Sequence, residues 1–135
     1  MKRLAINVKT TFQNETEGIV ETRNGEGAIS FTGKALAPYE YFMGGFAGCL
    51  HATFLGILKK KNISLGEVTY DITAVKREEV PTTLKEVTVQ VSIVGAQEEK
   101  QKQIIKSMDL AEKYCSISAT IQMIANIDIQ IAFLD

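Results

Sequence analysis

Apolar positions along the chain change period several times, and each change marks a new element. Leu4, Ile6 and Val8 alternate with Ala5, Asn7 and Lys9, the period of two that turns one face of a strand inward. Gly18 to Glu21 and Ala28 to Phe31 are short extended runs flanking the segment RNGEG. Within it, Asn24-Gly25 suits a hairpin turn because both residues accept positive φ. The first third therefore reads as a small antiparallel meander.

Alternation stops at Pro38. Pro38 at the first helical position, Ala37 just outside and Glu40 in the first turn predict a helix running to about Lys60, since an early carboxylate suits the exposed N–H groups. Between Tyr41 and Leu58 only His51 and Thr53 are clearly polar. A helix apolar on every side is buried in protein or in lipid. The run reaches only about 18 residues and is interrupted by Gly44, Gly45, Gly48, Gly56 and His51, whereas a span prefers ~20 mostly apolar residues. Burial in protein is the expectation, with no membrane partner.

Period two returns in Val68, Tyr70, Ile72 and Ala74 and again in Val87, Val89, Val91 and Ile93. The segment EEVPTTL between them supplies a proline turn, so the two strands should form a hairpin with one wet face. Ile104, Met108, Ala111 and Cys115 then make one helical stripe with Cys115 at its C-terminal end. Ile127, Ile129, Ile131 and Phe133 close the chain with a strand. Sheet, buried helix, hairpin, amphipathic helix and strand compose a single α+β domain over residues 1–135. One sheet and one amphipathic helix cover only part of an all-apolar helix, and a homodimer is the simplest way to cover the rest.

Composition narrows the function classes. The 15 basic and 16 acidic residues nearly balance, there is no Trp, and Lys59-Lys60-Lys61 is the one basic cluster. Nucleic acid is therefore not an expected partner, and the triplet suits a solvated helix end, where cations are favoured. The start, MKRLAINVKTTF, has no apolar core of signal length, so a reducing cytoplasm is the expected compartment. Two cysteines 66 positions apart are there a redox pair or two unrelated buried thiols. One His and two Cys are too few for a convenient zinc site, and no metal or cofactor is expected.

The segment GGFAGCLHATF holds Cys49 and the sole histidine, His51. At 100° per residue His51 lies about 200° from Cys49, so a Cys–His dyad within the helix is not expected. Thr53, four residues on, shares the face of Cys49 and either offers its hydroxyl to the thiol or bonds its own i−4 carbonyl. Gly45, Cys49, Ala52 and Gly56 form a small-residue stripe that serves a close helix crossing or a ligand slot. A reactive cysteine must become a thiolate. Cys49 stands roughly 16 Å along the axis from Pro38, beyond the reach of the helix dipole, and an apolar surround raises its pKa. By itself the segment describes a quiet thiol unless a cation arrives, and the arginines, Arg3, Arg23 and Arg77, all lie outside the helix.

The stretch APYEYFMGGFAGCLHATFLGILKKKNISLGEVTYDI, together with AEKYCSISATI, resembles the two cysteine contexts of the OsmC/Ohr proteins, in order and separation, over most of the chain from Pro38 onward. The resemblance implies an intertwined α+β homodimer, with antiparallel sheets wrapped around a long central helix, and a thiol peroxidase acting on organic hydroperoxides. It casts Cys49 as the peroxidatic thiolate and Cys115 as the resolving thiol, with a small dithiol of lipoyl type as reductant.

The peroxidases carry a Glu ten residues before the first Cys, bridged to an arginine that activates the thiolate. Here that position is Tyr39, and Glu40 follows it. Nine residues of helix turn through about 900°, which points Glu40 away from Cys49, so Glu40 is a candidate for a catalytic or a first-turn helix role. No arginine clearly matches the activating one. The Pro-x-Glu spacing is closer to an OsmC-like branch of poorly defined activity. Two readings follow: a hydroperoxide reductase using Cys49 and Cys115, or a binding protein with an apolar slot and no effective peroxidatic centre.

Overall fold

The computed structural model describes residues 5–135. The chain divides into two compact units, the first ending at Phe42 and the second spanning Met43–Asp135.

The first unit is a three-stranded antiparallel sheet of β1 (Lys9–Phe12), β2 (Glu17–Thr22) and β3 (Gly25–Ser30). The β2–β3 hairpin closes through Arg23 and Asn24, with Thr22 paired to Gly25. Positive φ in this turn falls on Gly25 alone, at 144°, a backbone state that glycine adopts freely. Gly27 also serves a purpose: a Cβ there would stand 2.5 Å from the Tyr41 hydroxyl, which donates to the Ala28 carbonyl at 2.5 Å.

The strand expected on Leu4, Ile6 and Val8 is a correction. Leu4 lies outside the described residues, Ala5 to Val8 form no strand, and Ile6 is 94% exposed. Pairing begins at Lys9, which is opposite Glu21, and the segment Lys9-Thr10-Thr11-Phe12 carries the strand instead.

α1 (Pro38–Lys60) begins in the first unit and continues into the second. Pro38 holds its first position, where a missing N–H costs nothing. The Glu40 carboxylate accepts from the Ala37 N–H at 2.7 Å, the reach-back half of a capping box. Lys59 and Lys60 complete its last turn.

In the second unit β4 (Val68–Lys76) and β5 (Leu84–Val94) form the antiparallel hairpin, and β6 (Asn126–Leu134) adds to the other side of β5 in parallel. A parallel neighbour needs a long crossover. A 3-10 turn, α2 (Gln101–Tyr114) and α3 (Ser116–Gln122) supply it. Val87, Val89, Val91 and Ile93 of the central strand share one core with Phe46, Leu50, Phe54 and Leu58 of α1, with Ile104, Met108 and Ala111 of α2, and with Ile121 of α3.

The structure agrees with one expectation about the helices and corrects another. α1 is not covered on all sides within one chain. Met43, Phe46, Leu50, Phe54 and Leu58 recur at helical spacing and are buried, whereas Gly45, Gly48, Ala52, Leu55 and Gly56 on the other face are exposed. By length and apolarity α1 is a candidate membrane span, yet its buried stripe belongs to the protein core. The predicted amphipathic helix is also broken. α2 ends at Tyr114, and Cys115 is extended (φ −69°, ψ 121°), capping α2 at one end and α3 at the other.

Of the lysine triplet, Lys61 is not merely solvated. Its ammonium donates to Ser107 Oγ at 2.8 Å, and Ser107 Oγ donates to the Gln103 carbonyl at 2.7 Å.

Candidate functional site

Two local features bring the cysteines together. Cys49 projects from the middle of α1 and is partly exposed, while Cys115 occupies the joint between α2 and α3 and is fully buried. The joint matters because Cys115 is the N-cap of α3, and its sulfur accepts from the Ser118 N–H at 3.4 Å. N-cap side chains turn back toward the first N–H groups of their helix. Here that geometry holds the sulfur over the start of α3, where the Cys115 thiol donates to Cys49 Sγ at 3.0 Å. Both cysteines are free thiols.

The environment drives the two thiols apart in acidity. Burial pushes Cys49 up, but donors outweigh it: the Cys115 thiol, the Ile117 N–H, and the Ser116 hydroxyl and N–H together hold its pKa below the ordinary thiol value. The Ser116 hydroxyl stands 3.9 Å from Cys49 Sγ. Cys115 moves the other way. Burial raises it, and its bond and charge interaction with Cys49 raise it further, against the opposing Ser118 and Ile117 N–H groups. Of the two thiols, Cys49 is therefore the one that ionises more readily. The donors are the Cys115 thiol and the chain turn that follows it, and no cation among the described residues takes part in this shift.

The other candidates are placed elsewhere. His51 Nδ1 pairs with the Tyr70 hydroxyl at 2.9 Å, with the rings edge to face. Thr53 Oγ1 donates to the Cys49 carbonyl at 3.0 Å, so its hydroxyl serves the helix and not the thiol. The Glu40 carboxylate is engaged at the start of α1 by Ala37, and Tyr39 packs against Phe42. Arg23 lies in the β2–β3 turn. Arg77 donates through Nε to the Pro81 carbonyl in the β4–β5 turn, and Arg3 lies outside the described residues. Among the described residues no three His, Cys, Asp or Glu side chains gather as a metal site.

Sequence reading missed Ser116 and Ser118. The available signal was the CSIS segment itself, a cap-competent Cys followed by two hydroxyl residues. It was obscured by a helical stripe that continues in register to Cys115.

The model of the family described as OsmC-like protein matches residues 31–131. The chain belongs to the OsmC-like family. Among curated relatives of this OsmC-like chain, protein YhfA of Escherichia coli strain K12 is 27% identical over 95 residues, which covers 70% of each chain. The solved OsmC-like protein from Mycoplasma pneumoniae superposes with a TM-score of 0.86 at 15% identity, covering 99% of this chain and 100% of that one. An organic hydroperoxide resistance protein OsmC from Legionella pneumophila gives a TM-score of 0.73 at 18% identity, covering 98% and 99%. At such identities the two superpositions establish the fold, which is the OsmC-like α+β fold.

Proposed function

We propose that this OsmC-like protein is a thiol-dependent peroxidase that reduces organic hydroperoxides in defence against oxidative stress. The observation that carries the reading is the 3.0 Å hydrogen bond from the Cys115 thiol to Cys49 Sγ. It joins the two cysteines at contact distance and favours ionisation of the partly exposed Cys49.

The Cys49 thiolate attacks the terminal oxygen of R–O–O–H. The O–O bond breaks, the S–O bond forms, and the alkoxide leaves as the alcohol after taking a proton. Cys49 is then a sulfenic acid. The Cys115 thiol attacks that sulfur, forming the disulfide and releasing water. A small dithiol of lipoyl type restores both thiols and leaves as its own disulfide. No resident cofactor is needed.

Support also comes from the fold relative from Legionella pneumophila, an organic hydroperoxide resistance protein. The exposed small-residue face of α1 suits a second copy, giving a homodimer of single domains over residues 1–135. The buried stripe of α1 supports a core helix in a cytoplasmic protein. We assign Glu40 to the start of α1, where its bond to Ala37 lies, and no chemical step to it.

One equivalent of cumene hydroperoxide should remove both free thiols of the wild type. The Cys115→Ser variant should stop at a sulfenic acid that dimedone labels. Unchanged thiols in the wild type would sink the reading and leave the apolar-ligand binding protein as the function to test.

A further inference from the structure

Ser116 follows Cys115 as the first residue of α3. Its carbonyl accepts from Thr120 Oγ1 at 2.9 Å, and its side chain comes beside the other cysteine. Among the described residues the Ser116 hydroxyl has one hydrogen-bond partner, Cys49 Sγ, at 3.9 Å. At that length the contact is weak, so the Ser116 proton is uncommitted in the resting site.

Exposure separates this hydroxyl from the other donors around Cys49. The Cys115 thiol is nearer, at 3.0 Å, but it is fully buried. The N–H groups of Ser116 and Ile117 keep their protons in the peptide. The Thr53 hydroxyl is engaged by the Cys49 carbonyl. Ser116 is exposed and Cys49 is partly exposed. Of these groups Ser116 combines a transferable proton, access to water and proximity to the reacting sulfur.

The inference rests on the peroxidase reading of this site. Attack by Cys49 on the terminal oxygen of R–O–O–H breaks the O–O bond and leaves the electron pair on the alkyl-bearing oxygen. A donor placed where that charge develops lowers the barrier. A reacting oxygen stands about 3–3.5 Å from its nucleophile, and the alkyl-bearing oxygen lies one bond beyond. An O–H···O bond of about 2.8 Å from Ser116 to that second oxygen is compatible with the 3.9 Å between Ser116 Oγ and Cys49 Sγ. A closer hydroxyl would be held by the thiolate instead.

We propose that Ser116 is a catalytic residue of the first step, whose hydroxyl donates to the alkyl-bearing oxygen as the O–O bond breaks and gives it the proton that makes the alcohol. The sulfur is oxidised to the sulfenic acid, the peroxide is reduced to the alcohol, and the serine regains its proton from water.

The test uses leaving groups that differ in their need for a proton. tert-Butyl hydroperoxide expels a strongly basic alkoxide, peracetic acid a weakly basic carboxylate, and iodoacetamide an iodide that takes no proton. Loss of the Cys49 thiolate absorbance is timed with each reagent at one pH in the wild type, Ser116→Ala and Ser116→Thr. Dividing each oxidation rate by the iodoacetamide rate removes differences in the thiolate fraction. Ser116→Ala should then lower the tert-butyl hydroperoxide rate roughly tenfold, the scale of one hydrogen bond to a charged group, and the peracetic acid rate by less than about twofold. Ser116→Thr, which keeps a hydroxyl, should recover most of the hydroperoxide rate. Equal slowing with both oxidants overturns the inference, because the loss would not follow the proton demand of the leaving oxygen, and so does an unchanged hydroperoxide rate. A wild type consumed by peracetic acid and iodoacetamide but untouched by tert-butyl hydroperoxide defeats the peroxidase reading itself, and the role of Ser116 with it.

Discussion

The Cys115 thiol donates to Cys49 Sγ across 3.0 Å, and this one bond lowers the pKa of Cys49 while raising that of Cys115. Among the contributions that lower the Cys49 pKa it is the largest, opposing the burial that raises it. Replacing Cys115 with Ala removes the donor and leaves the burial. The pH midpoint for alkylation of Cys49 by iodoacetamide should then rise by about one unit, since a hydrogen bond to a charged group is worth roughly 1.5–3 kcal/mol and one unit is about 1.4. Cys115→Ser retains a hydroxyl donor and should shift it less. Equal midpoints in wild type and Cys115→Ala would show that the bond does not govern the thiolate.

Ser116 offers Cys49 both a hydroxyl and an N–H, and the two contributions are separable. Ser116→Ala deletes the hydroxyl alone, at 3.9 Å a weak contact, and should raise the alkylation midpoint by a few tenths of a unit. Ser116→Pro deletes the N–H as well. The backbone tolerates proline there because Ser116 is the first residue of α3 and Cys115 before it is extended. The proline variant should therefore fold normally and raise the midpoint further than the alanine variant. A proline variant with native helicity and an unshifted midpoint would remove Ser116 N–H from the account.

Legibility divided along the line between local and non-local signals. The bounds of α1 were readable because Pro38, Glu40 and the terminal lysines are local caps, and the β4–β5 pair because both strands alternate cleanly around a proline turn. The alternation at Leu4, Ile6 and Val8 misled because it specifies a face and says nothing of where a partner strand lies. The break at Cys115 was hidden because Ile104, Met108, Ala111 and Cys115 keep helical spacing across it, and spacing cannot show that a residue has turned extended to cap the next helix. The acidifying donors were invisible for the same reason: a search for a charged side chain passes over a second thiol, one serine hydroxyl and the N–H groups of Ser116 and Ile117. The open face of α1 followed from counting how little one chain has to cover it.

Stability should separate from thiol chemistry on α1. Phe54 is fully buried in the core, and Phe54→Ala should cost about 3–5 kcal/mol in urea unfolding through the cavity it leaves. Tyr70→Phe keeps the ring and removes the hydroxyl that pairs with His51 at 2.9 Å. It should cost only about 1 kcal/mol, with Cys49 alkylation unaltered, because Tyr70 bonds His51 and His51 leaves the Cys49 face. A change in Cys49 alkylation on Tyr70→Phe would reconnect that pair to the site.

Gly56 tests whether a second copy covers α1. A Cβ built at Gly56 meets nothing within 4 Å among the described residues, and Gly56 is exposed, so Gly56→Leu has an open start in one protomer. It also replaces a poor helix former with a good one, a gain of roughly 0.8 kcal/mol. If the exposed face is solvent, the variant should be slightly more stable and otherwise indistinguishable. If a second copy packs there, the leucine enters a gap sized for a bare backbone, and overpacking of that kind costs about 1–3 kcal/mol. Sedimentation equilibrium should then show a dimer in the wild type and a dissociation constant raised at least about tenfold in Gly56→Leu, with helicity by circular dichroism retained. A wild type that stays monomeric at every concentration, or a variant that associates as tightly as the wild type, would remove this face as the dimer interface.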